Sequence, residues 1–268
     1  MKPSYKEPDL TTATMALIRA ANDAPEIGRR ALAAYVLCQH NQSMPLITDE
    51  EIRESQHSDG GWTNVPETVL FAGLCRLRPV LQDCYDAALS WLRSVRMTDG
   101  GWGTSGRDIS RIPITGLLLH LLPGFSDKKA ANWLNNEWRK DFGGSTRLTY
   151  KGACFLLGLR AFSVTASDCP LIKETYSFLA AEQNEDGGFG PWKDHPIGSD
   201  PWSTGIVLLG LLSYDDLIDK KVIERAVDWL AETQLPNGLW PYHYIDEGSA
   251  YAYWGLVEAL KYLSREPG

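Results

Sequence analysis

The chain is poor in cysteine: Cys38, Cys75, Cys84, Cys154 and Cys169 are all it has, and no two form a Cys-x-x-Cys pair. An odd, unpatterned set excludes a zinc ribbon and argues against a disulfide frame, so reduced thiols in a cytoplasmic protein are expected. Positive charge is also short. Lys and Arg number 26 against 34 acidic residues, a formal net charge of -8. Phosphate binding needs a basic face, so no nucleic-acid partner is expected. The longest apolar run, around Gly205 to Leu212, is too short to span a membrane. The N-terminal stretch MKPSYKEPDL lacks the apolar core of a signal peptide. No Pro/Ser-rich linker or shift in composition divides the chain, so residues 1–268 are expected to form one domain.

What is present is ordinary in bulk and unusual in detail. A hydrophobic content of 44% with 22% charged residues is that of a globular protein. Ten tryptophans are many, and rings of that size must be packed or must line something.

The strongest signal is an internal repeat. Five segments share a plan of helix, polar turn, glycine and aromatic: Gln56–Trp62, Arg96–Trp102, Trp138–Gly144, Gln183–Phe189 and Gln234–Trp240. The first-glycine position falls at Gly60, Gly100, Phe142, Gly187 and Gly238, a period of 40 to 51 residues that suits a helix pair. An aromatic–aliphatic pair precedes four of the turns: Trp91-Leu92, Trp133-Leu134, Phe178-Leu179 and Trp229-Leu230. Asp-Gly-Gly and Asn-Gly supply positive φ and end a helix without a Cβ penalty. A Gln at the helix end can bond free backbone groups and tie one helix pair to the next.

Helices predicted after the turns cover Glu67–Leu77, Ile109–Leu122, Thr146–Phe162, Trp202–Ser213 and Ser249–Ser264, several of them apolar on nearly all sides. Those leading into turns are amphipathic: Leu81–Val95, Asp127–Arg139, Leu171–Glu182 and Lys221–Thr233. Leu10–Asn22, Glu26–Gln39 and the short Asp49–Ser55 complete about twelve helices. Alternation of buried with amphipathic helices predicts an all-α fold, an α/α toroid of six inner and six outer helices. The N-terminal helix is expected to close the circle against Ser249–Ser264.

The pattern aromatic–aliphatic–x3–Gln–x3–Gly–x–Trp resembles the QW motif of squalene–hopene and oxidosqualene cyclases, best at Phe178–Phe189 and Trp229–Trp240. The segment GGFGPWKDHPIGSDPWSTGIVLLGL is similar to the Gly-rich repeats of protein prenyltransferase β-subunits. The resemblance covers roughly Ile52 to the C-terminus and implies one toroid of the terpenoid cyclase and prenyltransferase type. The family's chemistry is less well matched. Where prenyltransferases hold zinc, this chain has Ser203 and Ala153, neither a zinc ligand, so no metal is expected. Protonating cyclases carry Asp-x-Asp-Asp, and no such string occurs. Asp200 falls on its first position, Trp202 replaces the general acid, and Glu67 falls on the last.

Residues at the start of the inner helices should converge on the cavity mouth. They include Glu67, Asp108, Arg111, Arg147, Tyr150, Asp200, Trp202, Asp246, Glu247 and Tyr251. Glu67, Asp108 and Asp200 are the candidate acids, against a plain alternative in which each carboxylate caps a helix and offsets its dipole. A functional acid would need apolar burial to raise its pKa. Arg111 and Arg147 could hold a diphosphate or carboxylate; the alternative is an ion pair with Asp108 or Asp200. Phe71, Tyr150, Trp202, Tyr251, Tyr253 and Trp254 could stabilise a carbocation in the lumen, or be core. His243 could act as an acid or base near the mouth, or be simply an exposed loop histidine, and His120 and Cys154 are core candidates.

The resemblance therefore implies an enzyme of isoprenoid metabolism, an isomerase or lyase, binding a prenyl substrate in an aromatic lumen and cyclising it by protonation. No cofactor is expected, save Mg2+ where the substrate is a diphosphate. The alternative is a non-catalytic toroid that binds an apolar ligand, or one that works as a homo-oligomer or with a partner subunit. A carbohydrate-active toroid pairing Glu67 with Asp200 is a third reading, against which the QW-like turns argue.

Overall fold

The computed structural model describes residues 5, 6, 8–24, 26–40, 46–145 and 147–265, apart from the side chain of residue 215. Twelve α-helices follow one another: α1 (Leu10–Asn22), α2 (Ile27–Gln39), α3 (Asp49–Ser55), α4 (Val65–Arg76), α5 (Gln82–Ser94), α6 (Ile112–Leu121), α7 (Lys128–Phe142), α8 (Thr149–Arg160), α9 (Pro170–Ala181), α10 (Pro201–Leu211), α11 (Lys220–Thr233) and α12 (Ile245–Leu263). Among the described residues there is no strand.

The even-numbered helices form the inner layer. Each packs on the next, from α2 through α4, α6, α8 and α10 to α12, and α12 packs back on α2. The ring is therefore closed. Around it, α1 lies on α2 and α12, α5 on α4, α7 on α6 and α8, α9 on α8 and α10, and α11 on α10 and α12. Closure differs in one respect from the expectation. The first helix does meet the last, with Thr14 and Tyr253 hydroxyls 2.9 Å apart, but as an outer helix; α2 completes the inner ring.

Close approach of inner helices explains their glycines. A Cβ on Gly205 would stand 2.1 Å from the Tyr251 carbonyl oxygen, so α10 and α12 touch backbone to backbone. The seam between α4 and α6 is the loosest of the six.

The five turns lock the outer layer by the same device. Gln56 donates to the carbonyls of Gly60 at 2.8 Å and of Cys84 on α5 at 2.9 Å. Gln183 donates to Gly187 at 2.8 Å and to Val222 on α11 at 2.9 Å. Arg96 takes the Gln place in the second turn, reaching Gly100 at 3.0 Å and the α7 cap Asp127 at 2.8 Å. Trp138 takes it in the third, donating to Thr175 on α9 at 2.7 Å. Gln234 of the fifth turn bonds Gly238 and the carbonyl of Asp9, the cap of α1, both at 3.1 Å. The last turn is thus tied to the first helix.

Four of the five turns are also pinned to the inner helix that follows. The backbone N–H groups of Trp62, Trp102, Phe189 and Trp240 donate at 2.9 Å to Thr68, Thr115, Thr204 and Ser249. All these hydroxyls sit in the first turns of α4, α6, α10 and α12, so the N-terminal ends of the inner helices face one end of the ring.

Two boundaries bear on the site. Helix α6 begins at Ile112, three residues later than expected, with Pro113 in its first turn and an Asp108–Arg111 pair before it. Helix α12 begins at Ile245, four residues early, which brings Asp246 and Glu247 into its first turn. The expected start of α8 at Thr146 lies outside the described residues.

Candidate functional site at the mouth of the ring

Down the axis from the N-terminal end runs a column of aromatic rings. Tyr150 meets Trp202 edge-on at 5.3 Å between centroids, Trp202 meets Tyr251 at 5.5 Å, and Tyr251 stacks on Trp254 at 6.3 Å. Tyr35 and His120 flank Trp254 at 5.6 and 6.1 Å. Beside the column, between α4, α6 and α12, is an apolar cavity of about 160 Å³ lined by Val69, Leu70, Ile114, Leu117, Tyr251 and Trp254, among others. Small-molecule sites usually offer about 300–1,000 Å³. The expected open lumen is therefore largely filled: Tyr251 and Trp254 are 8% and 5% exposed and wall this small cavity on one side.

Above the column stand three ionisable groups. Asp200 caps α10, accepting from the Ser203 N–H and the Ser203 hydroxyl, each at 2.7 Å. It is 7% exposed, and burial pushes its pKa up against those hydrogen bonds. Glu247 is exposed beside Trp202, and partial desolvation, then the neighbouring Asp246 charge, push its pKa up. Tyr242 packs against Gly248, and burial, then the charges of Asp200 and Glu247, raise its pKa. Two carboxyls with raised pKa, one phenol and an aromatic floor make a patch suited to proton donation and to a developing positive charge.

The other expected site residues are placed elsewhere. The Glu67 carboxylate lies against Gly28 of α2, where a Cβ would fall 2.3 Å from it, and not on the aromatic column. Asp108 is bound to Arg111 at 2.8 and 3.0 Å and accepts two backbone N–H groups, which hold its carboxyl far below the usual range. That pair is the plain alternative realised, and it leaves Arg111 engaged. Arg147 stacks on Phe178 and Phe142, 4.5 and 5.4 Å from their centroids, on the outer layer. Phe71 is fully buried and stacked on Trp62 at 4.6 Å, and Tyr253 faces α1. Asp246 pairs with Arg29 at 2.5 Å. Of the expected set, the structure brings together Asp200, Glu247, Tyr150, Trp202, Tyr251 and Trp254. Tyr242, which the sequence offers only as part of a Trp-Pro-Tyr-His-Tyr run, joins them.

Among the described residues no group of three or more His, Cys, Asp or Glu side chains could hold a metal ion, and no helix is long and apolar enough to cross a membrane.

No family model matches the chain. It is similar to the squalene–hopene cyclase of Zymomonas mobilis, 23% identical over 297 aligned positions, which cover 90% of this chain and 44% of that protein. A shorter stretch of 72 residues is 35% identical to the lanosterol synthase of Pneumocystis carinii, covering 24% of this chain and 10% of that enzyme. The chain thus spans less than half the length of these relatives. Among solved structures, the apo type II terpene cyclase MstE from Scytonema superposes with a TM-score of 0.69 at 16% identity, over 94% of this chain and 98% of that one. A variant of MstE has been solved with its substrate, geranylgeranyl dihydroxybenzoate. The ring of helix pairs described above is an α/α toroid, the fold that the type II terpene cyclase MstE also has.

Proposed function

We propose that this protein is a terpenoid-cyclase-like enzyme that receives an isoprenoid chain at the N-terminal mouth of the ring and protonates its terminal double bond. The observation that supports this most is the convergence of Glu247 and Asp200, both carboxyls with raised pKa, on the Tyr150–Trp202–Tyr251 column. A carboxyl raised in pKa keeps a proton to give nearer neutral pH. The face of Trp202 and the rings beside it would stabilise the cation that results. Asp200 has both oxygens engaged by Ser203, so Glu247 is the better placed donor. The apolar cavity of about 160 Å³ has room for about five water-sized groups at ~30 Å³ each. It suits one isoprene unit rather than a folded polyene, with the rest of the chain at the mouth.

The test is turnover of squalene and of geranylgeranyl diphosphate, the latter with and without Mg2+, read by mass spectrometry of products. Glu247→Gln should lower the rate by about 10²–10⁴, while Glu67→Gln should leave it unchanged. Full activity in Glu247→Gln removes the assignment.

A second reading has its own support. The largely filled lumen, and Trp202 in place of the expected acid, favour a non-catalytic toroid that binds an apolar ligand or needs a partner. Exposed Ile109, Trp192, Ile197 and Tyr244 lie on loops at this same end and could meet such a partner. Retention of squalene or geranylgeranyl diphosphate without any product would favour this reading over the first.

A further inference from the structure

We propose that the opposite end of the ring holds a separate binding site for a small organic oxyanion, a carboxylate or phosphate ester on an aromatic or apolar body. A chamber of about 400 Å³ opens there, within the usual range for small-molecule sites. Every inner helix contributes a polar side chain from its C-terminal half or just past its end: Gln39, Arg76, His120, Arg160, Ser213 and Glu258. Leu157, Leu209 and Trp254 form the floor.

Basic residues at helix C-termini commonly do no more than offset the dipole. Three features go beyond that here. Among the described residues, neither the Arg76 nor the Arg160 side chain has an ion pair or hydrogen bond; Arg160 rests on the Tyr214 ring at 5.8 Å. Glu258, the only acid among the described lining residues, is engaged by Lys261 at 3.0 Å and lies 3.7 Å from His40. His120 borders the chamber with no hydrogen-bond partner among the described residues; burial and the nearby Arg76 charge lower its pKa to about 4, so its ring is a neutral donor and acceptor. Two guanidiniums free to take an oxyanion fork-to-fork, above an indole face, match a planar or tetrahedral anion with an apolar body. The site shares only Trp254 with the apolar cavity at the other end and does not depend on the cyclase reading.

Calorimetric titration of the whole chain with phenyl phosphate, benzoate and the neutral benzyl alcohol tests this. Binding of either anion but not the alcohol is expected, and the tighter of the two assigns the headgroup. Arg76→Gln and Arg160→Gln should each weaken it about tenfold, the worth of one charge-assisted contact, while Arg107→Gln at the far end should not. In the wild-type protein the bound anion should shield Arg76 and Arg160 from phenylglyoxal, read by peptide mass spectrometry. The proposal fails if neither anion binds at millimolar concentration, if the alcohol binds as well, or if the double arginine variant, still folded by circular dichroism, binds unchanged.

Discussion

Asp200 is held by two opposing influences. Its cap bonds to Ser203 favour the carboxylate, while burial disfavours it and prevails, raising the pKa. A raised value means that the native state binds the proton more tightly than the unfolded chain. Stability from this group is therefore present at low pH and is lost as pH rises from the ordinary carboxylate value through the raised one. Asn keeps the capping oxygen and removes the charge. The melting temperature of the wild type minus that of Asp200→Asn should fall as pH rises above the ordinary carboxylate value of about 4, and a flat difference would contradict the shift. Asp200→Ala should lose about 1 kcal/mol more, through the missing cap. The sequence made Asp200 legible, because an acid before Pro-x-Ser-Thr reads as a cap. Glu67 lies against α2 for a reason that the sequence does not carry: its position in the first turn is local, but the face it shows depends on how α4 is rotated against α2. Tyr242 and Glu247 were hard to rank because loop geometry, not periodicity, brings them over the ring.

At the scale of elements, the turns should be the most sensitive points outside the core. Gln183 is 5% exposed and bridges two carbonyls that no other side chain reaches so directly. Gln183→Ala should destabilise by about 2–3 kcal/mol, the penalty for buried groups left unpaired. Gly187→Ala should do worse. Its φ of 94° belongs to the left-handed region, and a Cβ would stand 2.6 Å from the Arg225 carbonyl oxygen. Urea unfolding with an unchanged slope would measure both; a Gly187→Ala variant as stable as wild type would refute the turn argument. This layer was the most readable of all. The recurrence of Gln, Asp-Gly-Gly and aromatic announced the turns, and all-apolar against amphipathic helices separated inner from outer. Helix ends were less readable where prolines and caps shift a start by several residues, as at Ile112 and Ile245.

For the whole molecule, the last turn and the first helix meet across more than two hundred residues of sequence, at Gln234 and Asp9. Gln234→Ala should speed hydrogen exchange of the α1 amides and leave α9 and α11 protected; equal loosening everywhere would deny the closure a local role. Trp254 matters at this scale too. Trp254→Ala should destabilise by about 3–5 kcal/mol and merge the apolar cavity with the polar chamber, a change that solvent accessibility of Cys154 to thiol reagents could track. That the lumen would be largely filled was not legible, since a Tyr-x-x-Trp pair on an apolar helix is equally consistent with lining a wide void.

The position of Trp254 against both hollows has a consequence for traffic. With that indole in place the toroid is a cup at each end and not a tube, so a guest admitted at either rim must back out over the same rim. Exchange of guests at the two faces would then proceed independently, each at its own rate.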